Sequence, residues 1–315
     1  MRNGLIYLEL TCSALFWGLT FNAAKLTVGA VPPMTTAALR FLVAAGLMLV
    51  LLLSMERNWG PRVRRNWLAF LAMAVAGVVG FNTFFFFGMQ YTSPTNGALI
   101  MATNPLVTAL IAALFLGEPI SHNHKVGTAI SFVGVAILIL SGASHRLSQV
   151  NIGDLLVIGG NVSMALYSVL NKRFVKESSP LITTAATTIA GAVILWSVAR
   201  TMDPPTAVTA LPWQTYAAIL FMGAFGSVLA YIFWNRGIRA IGVADTAIFF
   251  HLVPVFTVLG SFVLGQTVTL TQIGAGMVVI FGVMISSGAL KKLLTAIAPR
   301  PVAAPAEITP ASDQS

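Results

Sequence analysis

Two halves of this chain carry the same spaced pattern of tryptophan, threonine, glycine and proline, about 147 residues apart, in segments apolar enough to cross a bilayer. Trp67, Gly77 and Gly80 recur as Trp213, Gly223 and Gly226. Pro105 answers to Pro254, Gly117 to Gly265, Gly127 to Gly274 and Gly134 to Gly282. Ser141-Gly142 returns as Ser287-Gly288, and Thr35-Thr36-Ala37-Ala38 returns letter for letter as Thr183-Thr184-Ala185-Ala186. If each copy holds an odd number of membrane spans, the second enters from the opposite side and the repeats are inverted. Inverted repeats build a site between two halves that each side of the membrane reaches in turn.

Stretches of roughly 20 apolar residues bounded by polar or turn residues mark spans. They fall near residues 5–28, 34–54, 67–89, 94–116 and 125–142, then near 152–171, 180–200, 213–235, 243–264 and 270–290. The expected fold is therefore an all-α polytopic membrane protein of ten transmembrane helices in two inverted five-helix repeats, residues 1–148 and 149–293. Composition agrees, with 57% hydrophobic and 9% charged residues. Soluble domains carry roughly 25% charged residues.

A net charge of +9 raises the question of a nucleic-acid partner, which the placement of the basic residues answers. With the chain starting inside, the inner segments hold Arg2, Arg57, Arg62, Arg64, Arg65, Lys125, Lys172, Arg173, Lys176, Arg236, Arg239, Lys291, Lys292 and Arg300. Only Lys25, Arg40, Arg146 and Arg200 lie on or toward the other side. This asymmetry is a positive-inside pattern with both termini cytoplasmic, so the excess charge is topological and no nucleic acid is expected. Glu9 inside the first span, with no small-residue cleavage site after it, marks a retained span rather than a signal peptide. The single cysteine, Cys12, rules out an intrachain disulfide. Residues 294–315, rich in Ala and Pro without periodicity, are expected to form a disordered cytoplasmic tail.

Trp17-Gly18, Lys25, Pro33 and Arg40-Phe41 resemble the opening two helices of the EamA family of the drug/metabolite transporter superfamily. Gln90-Tyr91-Thr92-Ser93, Ala98, Pro105 and Leu116-Gly117-Glu118-Pro119 are similar to that family's third and fourth helices. The second copy departs at the last motif, with Gly265-Gln266-Thr267 where many relatives carry Gly-Glu. The resemblance covers about residues 5–290 and is greatest to bacterial inner-membrane exporters of amino acids, aromatic ones included. It implies a secondary, alternating-access transporter with a small-molecule substrate, in contact with the lipid bilayer and without a cofactor. Export of organic cations or drugs by the same fold is the alternative. A membrane-embedded enzyme lacks its motifs here, with neither His-Glu-x-x-His nor Gly-x-Ser-x-Gly in the chain.

Polar groups within spans are costly in hydrocarbon and so face a cavity or another helix. Asn22, Asn82, Asn104, Asn161, Asn171 and Asn235 are such groups, and Asn82 and Asn161 lie well inside their spans. Glu9, Ser13, Phe16/Trp17 and Thr20 fall at helical steps along span one, and Asn161, Met164/Ala165, Ser168 and Asn171 repeat the stripe in span six. Span three offers Phe81, Asn82, Phe85 and Met89; span eight offers Ser227, Tyr231 and Trp234. Such stripes also serve helix packing. The set expected to line a central cavity is Trp17, Phe81, Asn82, Phe85, Met101, Asn161, Tyr231, Trp234, Phe250 and His251. Their aromatic faces suit rings or cations. Trp59, Trp67 and Trp213, near span ends, read as interfacial anchors.

Of the charged residues within spans, Glu9 and Arg40 are those expected to matter. Arg40 has three options there: to snorkel outward, to pair with backbone carbonyls, or to pair with a substrate carboxylate. With so few intramembrane acids, a proton as coupling ion and facilitated diffusion both stay open. Pro105 and Pro254, at equivalent places in spans four and nine, are hinge candidates, since proline removes a backbone donor and kinks a helix. His122 and His124 read as a loop pair with no carboxylate or thiol companion, too few ligands for a metal site.

Overall fold

In lipid a peptide group has no partner but another peptide group, so an apolar run of this length satisfies itself by coiling into a helix. The computed structural model describes residues 2–27, 30–91, 100–117, 119–142, 152–205, 208–265, 269–286, 288 and 290. Among these residues there are helices and turns and no strand. Of the sequence expectations, residues 94–99 of the fourth span, Thr92, Ser93, Ala98, Glu118, Arg146, Gln266, Thr267, Lys291, Lys292, Arg300 and the tail 294–315 lie outside the described residues.

The first half contains α1 (Arg2–Lys25), α2 (Pro33–Met55), α3, α4 (Asn104–Leu116) and α5 (His122–Gly142). Helix α3 joins Trp59–Met73 to Phe81–Tyr91 through a π-helical stretch, Ala74–Gly80. The second half contains α6 (Ile152–Phe174), α7 (Pro180–Met202), α8, α9 and α10 (Leu270–Ser286). Helix α8 joins Trp213–Phe221 to Ala230–Ile241 through a π-helical stretch, Met222–Leu229. Helix α9 joins Val243–Ala247 to Leu252–Val263 through a 3-10 turn, Ile248–His251. Seven of these (α1, α2, α3, α6, α7, α8 and α9) are long and apolar enough to cross a membrane, while α4 and α10 are shorter apolar helices.

Several helices overrun the expected spans at their charged ends. Helix α3 begins at Trp59 rather than near residue 67, with Arg62, Arg64 and Arg65 exposed on its first turns. Helix α8 runs on to Ile241 through Arg236 and Arg239. The 29 residues from Trp213 to Ile241 amount to roughly 44 Å of helix, the thickness of a bilayer with its headgroup layers. Apolarity alone marks only the hydrocarbon part. His122 and His124 likewise belong to the first turn of α5 rather than to a loop.

Two repeat-related pairs of helices pack antiparallel. Asp203, just beyond α7, accepts from Thr35 N–H at 2.5 Å and from Thr35 Oγ1 at 2.8 Å near the start of α2. At the other ends of the same helices Ser179 Oγ meets the Glu56 carboxylate. Helices α5 and α10 lie so close that a Cβ on Gly127 would stand 2.5 Å from the Gly282 carbonyl, and one on Gly134 2.8 Å from Val279 N. Small residues permit this approach where lipid leaves van der Waals contact as the main attraction between helices. Helix α1 packs on α8 and α9, and α6 packs on α3 and α4, so the contact pattern is preserved when the halves are exchanged. Outward faces are apolar, as at Trp213, Val263 and Leu270.

Candidate functional site

Helices of both halves enclose a cavity with about 640 Å³ of unfilled space, its mouth included. Trp17 and Thr20 of α1, Arg40 of α2, Phe81, Asn82 and Phe85 of α3, Met101, Met164 of α6, Tyr231 of α8 and Phe250 of α9 line it. These residues lie toward the ends of α1, α2 and α3 that are remote from Arg57, Arg62 and Arg65. Seven residues of the expected set, Trp17, Phe81, Asn82, Phe85, Met101, Tyr231 and Phe250, are thus brought to one cavity. Phe21, Ala24, Phe86 and Val253 also line it and were not singled out. Phe21 and Ala24 continue the Trp17 stripe at helical spacing, which is the signal that would have found them.

The floor of the cavity is an aromatic cluster. Trp17 packs its ring 5.8 Å from Tyr231, 5.0 Å from Trp234 and 5.2 Å from Phe250, all within the range of favourable ring contacts. On the opposite wall Phe81 stacks on Phe85 at 5.7 Å, and Phe21 meets Phe85 edge-on at 5.6 Å.

The π-helical stretches supply the polar anchors of this wall. An i→i+5 turn interrupts the regular ladder and frees carbonyls for other donors. The Trp17 indole donates to the Gly226 carbonyl at 2.9 Å, inside the α8 stretch. Asn82 Nδ2 donates to the Val78 carbonyl at 2.6 Å, inside the α3 stretch. Glycine is needed beside both: a Cβ on Gly226 would stand 2.5 Å from Thr20 Oγ1, and one on Gly77 would run into the Tyr167 ring. The repeated Trp/Gly/Gly pattern therefore marks two equivalent irregular turns, which helical periodicity does not reveal.

Three members of the expected set are buried behind the wall. Asn161 accepts from Asn104 Nδ2 at 2.6 Å and donates to the Ile100 carbonyl at 2.8 Å and Thr103 Oγ1 at 2.9 Å, bracing the break before α4. Trp234 donates to Ser168 Oγ at 3.1 Å. His251 Nε2 lies 3.0 Å from the Ala102 carbonyl. That contact joins the 3-10 turn of α9 to the break at Thr103, two irregularities at repeat-related places. Pro105 sits in the first turn of α4 and Pro254 early in the stretch Leu252–Val263, so each proline follows a break rather than bending a continuous helix. The remaining asparagines brace helices too: Asn22 bonds the Thr257 carbonyl at 3.0 Å, and Asn171 donates to Asn235 at 2.8 Å.

Arg40 turns into the cavity and does not snorkel outward. Its Nε donates to Ser227 Oγ at 3.0 Å and its guanidinium carbon lies 5.1 Å from the Phe41 ring centre. Glu9 sits away from the cavity and pairs with Arg236 at 3.1 Å. His124, in the first turn of α5, has a carboxylate companion after all, Asp245 at the start of α9, at 3.4 Å. Among the described residues no three His, Cys, Asp or Glu side chains come together.

Polar contacts between the halves also tie the arginine-rich end. Arg65 pairs with Glu177, and Asn66 exchanges two hydrogen bonds with the Lys176 backbone, at 3.0 Å and 2.9 Å. At the opposite end the halves meet through Thr35 and Asp203, and through Thr215 Oγ1 donating to the Leu26 carbonyl at 3.1 Å.

The EamA-like transporter family matches residues 4–140 and again residues 151–288. The chain is 40% identical to "Uncharacterized transporter YyaM" of Bacillus subtilis (strain 168) over 293 residues, covering 92% of this chain and 96% of that protein. It is 28% identical to "Uncharacterized inner membrane transporter YedA" of Escherichia coli (strain K12), covering 92% of each. A solved crystal structure with 21% identity superposes at a TM-score of 0.78 over 92% of this chain and 99% of that one, a likeness of fold.

Proposed function

The chain belongs to the EamA-like transporter family, and from that premise we propose a secondary, alternating-access exporter of amino acids, aromatic ones included, in the bacterial inner membrane. The observation that carries the reading is the aromatic cavity walled by helices of both halves. A ring entering it meets the faces of Trp17, Phe85 and Phe250, and Met101 and Met164 adapt to its outline.

The proposed architecture is ten spans in two inverted five-helix repeats, residues 1–148 and 149–293, with residues 294–315 and both termini cytoplasmic. In its support, the family matches once in each half, repeat-related helices pack antiparallel, and the basic residues favour one end. On this topology the cavity lies toward the outside and the cytoplasmic end is held shut by the Arg65, Asn66 and Glu9 contacts. Export then requires those contacts to part so that substrate loads from within. The breaks before Pro105 and around His251 are the proposed hinges, where two discrete packings differ.

Counterflow in proteoliposomes tests the function. Vesicles loaded with unlabelled phenylalanine should accumulate labelled phenylalanine or tryptophan, and a pH gradient separates proton antiport from facilitated diffusion. Exchange of organic cations with none of any amino acid would move the reading to cation or drug export.

A further inference from the structure

Among the described residues lining the cavity, Arg40 is the one with a formal charge. Arg40 is buried, with 7% of its surface exposed. Among the described residues its one side-chain hydrogen bond is the Nε–Ser227 contact, and none of the ion pairs includes it. A guanidinium has five N–H donors, so four are left without an acceptor among the described residues. None of the described residues lining the cavity is Asp or Glu. Glu9, an intramembrane acid, is occupied by Arg236 outside the cavity. The walls around Arg40 are the rings of Trp17, Phe81, Phe85, Tyr231 and Phe250.

We propose that Arg40 is the carboxylate-binding group of the transport site, and that the substrates are aromatic monocarboxylates whether or not they carry an α-amino group. The inference rests on the reading of this cavity as the transport site. A buried guanidinium without a counter-ion is costly, and a carboxylate offered in its plane takes two parallel N–H donors at once. The arrangement asks nothing comparable of an ammonium group. An ammonium finds aromatic faces at best, and in an amine lacking the carboxylate it brings a second positive charge beside Arg40. Ser227 fixes Nε and thereby aims the terminal nitrogens, making it a positioning residue.

The discriminating experiment compares phenylalanine with 3-phenylpropionate, which lacks the amino group, and phenethylamine, which lacks the carboxylate. Binding to purified protein is read by quenching of tryptophan fluorescence, and transport by inhibition of phenylalanine counterflow. The acid should bind within a few-fold of phenylalanine and the amine at least about tenfold more weakly, the worth of a charge-assisted hydrogen bond. Arg40→Gln should weaken both carboxylates by at least about tenfold and leave the amine no weaker than before, since a like charge is removed from beside it. Ser227→Ala should weaken the carboxylates less than Arg40→Gln does. Equal binding of amine and acid by the unaltered protein overturns the inference, and that comparison stands even if Arg40→Gln does not fold. Phenylalanine transport with the amine competing equally sinks the carboxylate anchor but leaves the export reading intact. Arg40-dependent binding of 3-phenylpropionate without counterflow of any amino acid does the reverse.

Discussion

Trp17 connects a local irregularity in one half to the cavity wall. Its indole N–H takes up the Gly226 carbonyl that the π-helical stretch of α8 releases, and its ring rests on Tyr231, Trp234 and Phe250. Trp17→Phe keeps a ring but abandons that carbonyl, a loss of about 1 kcal/mol for a hydrogen bond of this kind. The half-saturation concentration of phenylalanine counterflow should rise about three- to tenfold, and Trp17→Ala should raise it further by opening the floor. Wild-type kinetics in Trp17→Phe would mean that the Gly226 contact does not hold the ring in place. Much of this wall was readable beforehand because Trp17, Phe81, Asn82 and Phe85 fall on helical stripes. Asn161 and Trp234 fall on similar stripes, and His251 lies within the ninth span, yet all three point into helix contacts. Spacing assigns residues to a face, and only packing decides what that face meets.

At the scale of elements, the irregular turns hold most of what periodicity missed. An extra residue in one turn rotates everything beyond it by about 100° relative to an uninterrupted helix. The faces of α3 and α8 after Gly80 and Leu229 therefore do not follow from the sequence before them. The order and approximate ends of the described helices were legible from apolar length, whereas the overruns at Trp59 and Ile241 were not, since charged interfacial turns carry no apolar signal. The glycines of the repeat give these turns a direct test. A methyl group on Gly77 collides with the Tyr167 ring, itself fully buried, so neither side gives way cheaply. Gly77→Ala should cost about 1–3 kcal/mol, the usual penalty of overpacking, and lower the thermal midpoint in detergent. Gly46→Ala, where nothing stands within 4 Å, should hold or raise it, because alanine favours the helix. Equal midpoints for the two variants would show that α3 and α6 have slack at this crossing.

Across the whole molecule, the proposed alternating-access cycle has the two ends compete to be closed, with the contacts between halves setting the balance. At the arginine-rich end the Arg65–Glu177 pair is exposed on both sides, and such pairs contribute only about 0–1 kcal/mol. Asn66 is a stronger tie, since it is 4% exposed and shares two hydrogen bonds with the Lys176 backbone. At about 1 kcal/mol each, their loss shifts the balance of open and closed forms by roughly tenfold or more. Asn66→Ala should therefore favour opening at this end far more than Glu177→Gln does. At the opposite end Asp203 accepts two hydrogen bonds from Thr35. That contact is made while the cavity opens toward this end, so it does not hold the end shut, and Asp203→Ala should leave the balance near that of the parent. The readout is a single cysteine at Met164, on the cavity wall, in a chain whose Cys12 is replaced by Ser. In right-side-out vesicles a membrane-impermeant maleimide should label it more slowly in Asn66→Ala than in the parent and at about the parent's rate in Asp203→Ala. Inside-out vesicles should give the reverse order. Identical labelling in all three chains from both sides would mean that these contacts do not govern access, and that the breaks at Thr103 and His251 set the balance without them.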